Sequence, residues 1–439
     1  MSQLLKPGQI LRTASSQMAC TVTHFLGGGG QGEVYQADLK GQAVALKWYR
    51  PDYLPYDPTL RTRLETAIQI GPPSDTFLWP MELVVIPRQS GYGYIMPLRG
   101  SEYQGMAALM SGRLNPTFYA LTTAGLHLAN SFLQLHSKGL CYRDISWGNI
   151  FLQPDTGEVL ICDNDNVSIE GDRETAIWGT PGFIAPEIMR QEALPSRETD
   201  LYSLAVLLFQ TFMVHHPLEG RREAGVACLD GAARYKLYGE EPIFIFDPSN
   251  ESNRPLNGDP NYANPLLYWP IYPQFLRDRF IQAFTAGLRD PGQRVTEGIW
   301  RATMVRLRDM IFRCPGCRCE NFFDPDPKAP VSAQCWNCQL ALPDPPRLRI
   351  GKHLIVLTPE THLFPHHVDE QRPYDFSQPI ATMNRHPERD LWGLKNCSSR
   401  SWQVTMVDQT LLECPPGRTV QLQSGIRIQF SKLEGIIQT

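Results

Sequence analysis

The stretch GLCYRDISWGNIFL, residues 139–152, decides how this 439-residue chain is read. Asp144 is followed five residues later by Asn149, and then by an apolar, strand-like run. A carboxylate that orients a hydroxyl, beside an amide that holds a divalent cation, is sufficient machinery for moving a phosphoryl group. That chemistry needs positioning and charge stabilisation more than covalent help. Nineteen residues beyond Asp144, Asp163 leaves an apolar strand in VLICDNDNV, where it could chelate a magnesium ion bridging nucleotide phosphates. Asp165 is an alternative ligand close by.

Upstream, residues 26–35 read LGGGGQGEVY and place Gly27, Gly29 and Gly32 in a G-x-G-x-x-G pattern ahead of Val34. Backbone amides there could approach triphosphate oxygens without obstruction by a Cβ, although such glycines are as often a structural turn. Lys47 follows in the alternating strand AVALKWY, which would set its ammonium beneath the glycine loop. A lysine in that position needs a carboxylate to orient it, and Glu65, in the helical stretch RLETAIQI, is the best-placed candidate.

In this order, G-x-G-x-x-G, A-x-K, the YRD loop, the DND segment and GTPGFIAPE resemble the eukaryotic-like (Hanks-type) Ser/Thr protein kinases, over about residues 18–313. The resemblance implies an α+β fold with a β-rich lobe at about 18–98 and a helical lobe at about 99–313. It implies ATP and magnesium as cofactors, with Lys47, Asp144, Asn149 and Asp163 as the catalytic set. It further implies that Val34 and Ala45 line the adenine pocket, that Met96 is the gatekeeper, and that residues 97–100 form the hinge. Glu187 would pair with Arg294, and Asp200 would brace the catalytic loop. The chain also looks like the bacterial kinases associated with a metal-dependent protein phosphatase and a von Willebrand A protein, partly through PIFIFDPSNESNRP at 242–255.

Four positions depart from the family pattern. Tyr142 stands where histidine is usual, and Asn164-Asp165 replaces Phe-Gly. Ser146 occupies the place of a lysine whose charge would stabilise the transferring phosphoryl group. An active kinase is therefore weighed against a pseudokinase, a nucleotide-binding scaffold acting through its other modules. Ser168, Thr175 and Thr180 lie in the segment after Asp163, where Arg143 could bind a phosphate on Thr175 or Ser168. The GTPGF and APE arrangement favours a protein substrate over a small molecule.

Cys314-Pro-Gly-Cys317 and Cys335-Trp-Asn-Cys338 have the spacing of two knuckles that supply four thiolates to one zinc. Four cysteine ligands leave no open position, so the metal would be structural and Cys319 a bystander. Adjacent His366 and His367 have no partnering cluster in the sequence and are expected on the surface. Beyond Leu348, short alternating runs such as HLIVL, SWQVTMV and IRIQF suggest a small all-β, sandwich-like domain. It faintly resembles the second half of a forkhead-associated module. The expected organisation is a kinase domain at 1–313, a zinc ribbon at 314–343 and the β domain at 347–439, with an irregular but packed insertion at 221–273.

Composition sets outer bounds. With 42% apolar and 20% charged residues and a net charge of −4, the chain is an ordinary globular protein without an electrostatic footprint for nucleic acid. The start MSQLLKPGQI is not a secretory signal, and the longest apolar stretch, Leu201 to Val214, is too short to span a bilayer. Eleven cysteines, an odd number with four in C-x-x-C pairs, favour metal binding in a reducing compartment. A soluble, cytoplasmic protein without a membrane partner is expected.

Overall fold

The computed structural model describes residues 3–88, 91–170, 179–324, 334–389 and 391–439. They divide into two compact units, Met1–Trp269 with Arg277–Ala302, and Pro270–Leu276 with Thr303–Thr439.

The first unit opens with strands β1 (Ile10–Thr13), β2 (Ala19–Gly28), β3 (Gly32–Leu39) and β4 (Gln42–Tyr49). Helix α1 (Leu60–Ile70), β5 (Glu82–Val85) and β6 (Tyr92–Pro97) follow. The strands close into an antiparallel barrel in the order β1-β2-β3-β4-β6-β5, with β5 pairing back onto β1. Alternation along them sends Leu11, Val22, Tyr35, Leu46, Val84 and Ile95 into one core. Closure leaves no free sheet edge. Leu60 and Leu64 of α1 pack in a second core with Tyr49, Leu83, Tyr94 and Met96. Gly32 owes its identity to this packing, because a Cβ there would lie 2.4 Å from the Trp48 carbonyl oxygen.

The helical remainder of this unit is built on the helices Phe118–Ser137 and Arg197–Met213. Thr117 caps the first by accepting from the Ala120 amide at 3.1 Å, and Ser196 with Thr199 forms a capping box on the second. The second helix is apolar nearly all round and buried from Thr199 to Met213. Residues 221–269 pack through particular aromatic side chains, with Tyr238, Phe244 and Tyr262 buried, and they are less irregular than expected. They contain a series of helical turns, and Phe246 stacks on Trp269 with ring centroids 4.4 Å apart.

Among the described residues, the second unit contains the cysteine knuckles, a two-stranded ribbon of Ile311–Arg313 with Glu320–Phe322, and two larger antiparallel sheets. Arg347–Ile350 pairs with both His353–Val356 and Glu434–Gln438, which ties the beginning of the β region to its end. The six-stranded and four-stranded sheets share one core that includes Leu348, Leu363, Leu394, Trp402, Val420 and Ile437. A sandwich of this kind buries alternate residues of each sheet.

The expectation of surface histidines fails here. His366 and His367 are buried, at 6% and 2% exposure. His367 Nδ1 accepts from the Phe364 amide at 2.9 Å and its Nε2 lies 3.2 Å from Asp309. His366 Nδ1 lies 3.2 Å from the Asp375 carbonyl oxygen. His367 thus serves its own helical turn and reaches Asp309 58 positions away, while His366 ties the turn to the loop at Asp375.

Candidate active site

Residues 140–152 form two short strands joined by the loop that carries Asp144. This loop is held from beneath. Asp200, buried in the helix Arg197–Met213, accepts the backbone amides of Tyr142 at 2.6 Å and Arg143 at 2.9 Å. His136 lies 3.1 Å from Asp200 and also bonds to Glu297, which Arg197 grips at 3.0 and 2.7 Å. Burial alone would discharge His136, but its bonds to Asp200 and Glu297 raise its pKa to about 9. Burial would raise Glu297, yet His136 and Arg197 bring it down to about 2. Elsewhere Glu187 forms a two-pronged pair with Arg294 at 2.8 Å, tying the APE segment to the helical core.

The Asn149 amide nitrogen donates to the Asp144 carbonyl oxygen at 2.9 Å and to its carboxylate at 3.3 Å, leaving the amide oxygen as the atom for a cation. Thr180 donates to the other Asp144 oxygen at 2.6 Å. Burial raises the Asp144 carboxyl above the usual range, the bonds from Thr180 and Asn149 oppose this, and the charge of Asp163 adds to the rise. Tyr142 spans the loop, its hydroxyl donating to the Cys162 carbonyl. Ser146 is buried in the loop and brings no charge.

Lys47 projects from β4 and is 4% exposed. Its Nζ lies 2.7 Å from Asp165, 3.3 Å from Asp163 and 3.0 Å from the side-chain oxygen of Gln31. Burial would lower its pKa, but Asp165 first and Asp163 second hold it well above the ordinary value. Tyr49, two residues along the same strand face, donates to the same Asp165 oxygen at 2.5 Å. Asp163 adopts a left-handed conformation, φ 54°, and its side chain remains 41% exposed.

Glu65 departs from its expected role. It is half-exposed and pairs with Arg61 at 3.0 Å on the outer face of α1. The inward face of that helix presents Leu60, Arg63, Leu64 and Ala67. Arg63 is bound to Asp57 there, so the helix offers the interior a cation where a carboxylate was expected.

The residues fit a nucleotide and its metal. A Cβ at Gly27 or Gly29 would meet nothing within 4 Å, which leaves room for phosphate oxygens, whereas Gly32 is set by Trp48. Val34, Ala45 and Met96 belong to one apolar cluster with Leu98 and Leu160. Ser168 is buried and paired in a short strand against Cys141, and Thr175 lies outside the described residues. Gln31, Tyr49 and Thr180 are site residues the motifs did not assign to these bonds. Of these, Tyr49 could have been found from its two-residue offset from Lys47.

Residues 117–249 match the family model described as the protein kinase domain. The chain's relatives include a probable serine/threonine-protein kinase of Streptomyces coelicolor, 30% identical over 51% of this chain and 33% of that protein. The DNA damage-responsive serine/threonine-protein kinase RqkA of Deinococcus radiodurans is 28% identical over 51% of this chain and 33% of its own length. Mouse protein kinase C delta type is 30% identical over 46% of this chain and 31% of its own. The chain spans about a third of the length of these relatives.

The second unit carries a different site. The sulfurs of Cys314, Cys317, Cys335 and Cys338 lie within 4.8 Å of one another. Cys314 and Cys338 are 3.6 Å apart, and Cys317 and Cys335 are 3.5 Å apart. A tetrahedron of zinc–sulfur bonds near 2.3 Å has edges of roughly 3.8 Å, so the donors fit zinc. Each knuckle closes on a left-handed residue, Arg318 or Gln339, whose amide returns to the carbonyl of the first cysteine at 3.0 and 2.9 Å. Cys319 stands outside the set and accepts from Asn337 at 3.3 Å. Among the described residues, no helix is long and apolar enough to cross a membrane.

Proposed function

We propose that this chain is an ATP- and magnesium-dependent protein Ser/Thr kinase, transferring the γ-phosphoryl group to protein hydroxyls, including those of its own activation segment. The observation that carries this reading is the Asp144–Asn149 hydrogen-bonded pair beside Asp163, with Lys47 bonded to Asp163 in turn. Asp144 would orient the substrate hydroxyl and receive its proton. Asn149 and Asp163 would hold magnesium, which when bound neutralises charge on the phosphates. Lys47 would hold the phosphates beneath Gly27 and Gly29, with Val34, Ala45 and Met96 against the adenine.

The kinase part extends over 1–313 in this reading, followed by a zinc ribbon at 314–343 and a β module at 347–439. The module would be a forkhead-associated-like docking domain, and the ribbon would carry one structural zinc. A metal-dependent protein phosphatase and a von Willebrand A protein are the proposed partners, in the cytoplasm. A second reading, a nucleotide-binding scaffold, is favoured by uncharged Ser146 and by Thr180 bonded to Asp144. Incubation with radiolabelled ATP and magnesium separates the two. Phosphoserine or phosphothreonine in the parent and not in Asp144→Asn supports the kinase, whereas equal background from both contradicts it.

A further inference from the structure

The carboxylates bonded to Lys47 come from residues 163–165, and none comes from helix α1. Lys47 is sealed from solvent, and a buried ammonium is held only by a fixed anion. Two carboxylates reach it, and their exposures differ sharply. The Asp163 side chain is 41% exposed and free to face a metal, while that of Asp165 is 1% exposed. Asp165 also makes the shorter contact, 2.7 Å against 3.3 Å. Tyr49 and Lys47 converge on a single Asp165 oxygen from one face of β4, so the strand itself fixes the carboxylate. Helix α1 has no competing anion on its inward face, and Glu65 is engaged with Arg61 outside.

We propose that Asp165, fixed by Tyr49, is the positioning residue for Lys47, filling the role that a helix glutamate was expected to fill. The role rests on the kinase reading, and it joins the phosphate-binding lysine directly to the segment that supplies Asp163. A shift of α1 would then leave the lysine in place, whereas a shift of residues 163–165 would move lysine and metal ligand together.

The test is a double-mutant cycle on the full chain, read both as kcat/KM for ATP and as MgATP affinity. Asp165→Asn should lower both by about ten-fold or more, the range for a hydrogen bond to a charged group. Added to Lys47→Met, it should cost nothing further, because its effect passes through the lysine. Tyr49→Phe, which keeps the ring packing, should produce a smaller fall that also vanishes in the Lys47→Met background. The free-magnesium concentration for half-maximal rate should be unchanged in Asp165→Asn. Losses that multiply, a raised magnesium requirement, or faster transfer by Asp165→Asn would each overturn the proposal. If the parent and Asp144→Asn transfer equally, the kinase reading falls, and the cycle is still decided by MgATP affinity.

Discussion

The Lys47 cluster and the cysteine cluster both crowd ionisable groups into a small volume, but they balance charge in different ways. Around Lys47 the polypeptide supplies both signs, an ammonium against Asp165 and Asp163. Among the four cysteines it supplies only thiols, at sulfur separations of 3.5 and 3.6 Å, with no cationic side chain among the donors. The first cluster is complete as protein and needs a ligand only for function. The second would be complete only with a cation bound, and metal binding would then be part of folding.

The largest effect should come from removing that cation. Metal analysis should find about one zinc per chain, and chelation should release a large part of the roughly 10–16 kcal/mol such sites contribute. Limited proteolysis should then cut within 314–343. An unchanged cleavage pattern after complete metal removal would erase the distinction between the two clusters.

A smaller effect is expected at His136, where charge is again balanced within the protein. His136→Ala leaves Asp200 and Glu297 without their shared partner and should cost about 3–5 kcal/mol of stability in denaturant unfolding. The pH dependence has a defined sign. The raised His136 pKa makes its contribution full below its unfolded value near 6.5, and it is lost as pH rises through about 9. The lowered Glu297 pKa makes its contribution present above the ordinary value near 4.5 and lost as pH falls through about 2. The network should therefore stabilise most between about pH 4.5 and 6.5, and the cost of His136→Ala should shrink toward pH 9 and above. A pH-independent cost would mean the histidine acts by packing alone.

The smallest effect is expected at Glu65. Its pair with Arg61 is an exposed i,i+4 contact, so Glu65→Gln should change stability by less than about 0.5 kcal/mol. Phosphotransfer should change less than about two-fold, within the range of a surface substitution. A large fall in phosphotransfer would return the lysine-orienting role to helix α1.

Local spacing made much of this molecule readable in advance. The YRD loop with Asn149, the paired C-x-x-C knuckles and the helix at Leu60–Ile70 all lie within short stretches whose chemistry or period is complete in itself. What remained hidden depends on residues far apart. Asp165 meets Lys47 across 118 positions, and His136 meets Glu297 across 161. Glu65 was misread because a helix with several polar residues does not declare which of them turns inward, and here Arg63 does. His366 and His367 were misread because neither Asp309 nor Asp375 marks itself as their partner in the sequence.

The central claim is that Asp144, Asn149, Asp163 and Lys47 form one phosphotransfer site, and it is tested most directly by the rate of labelled phosphate transfer from ATP to protein in the parent and in Asp144→Asn. The parent should transfer label measurably and the variant should fall by at least about 100-fold, the scale of losing a positioned general base. Equal rates in the two proteins would contradict it.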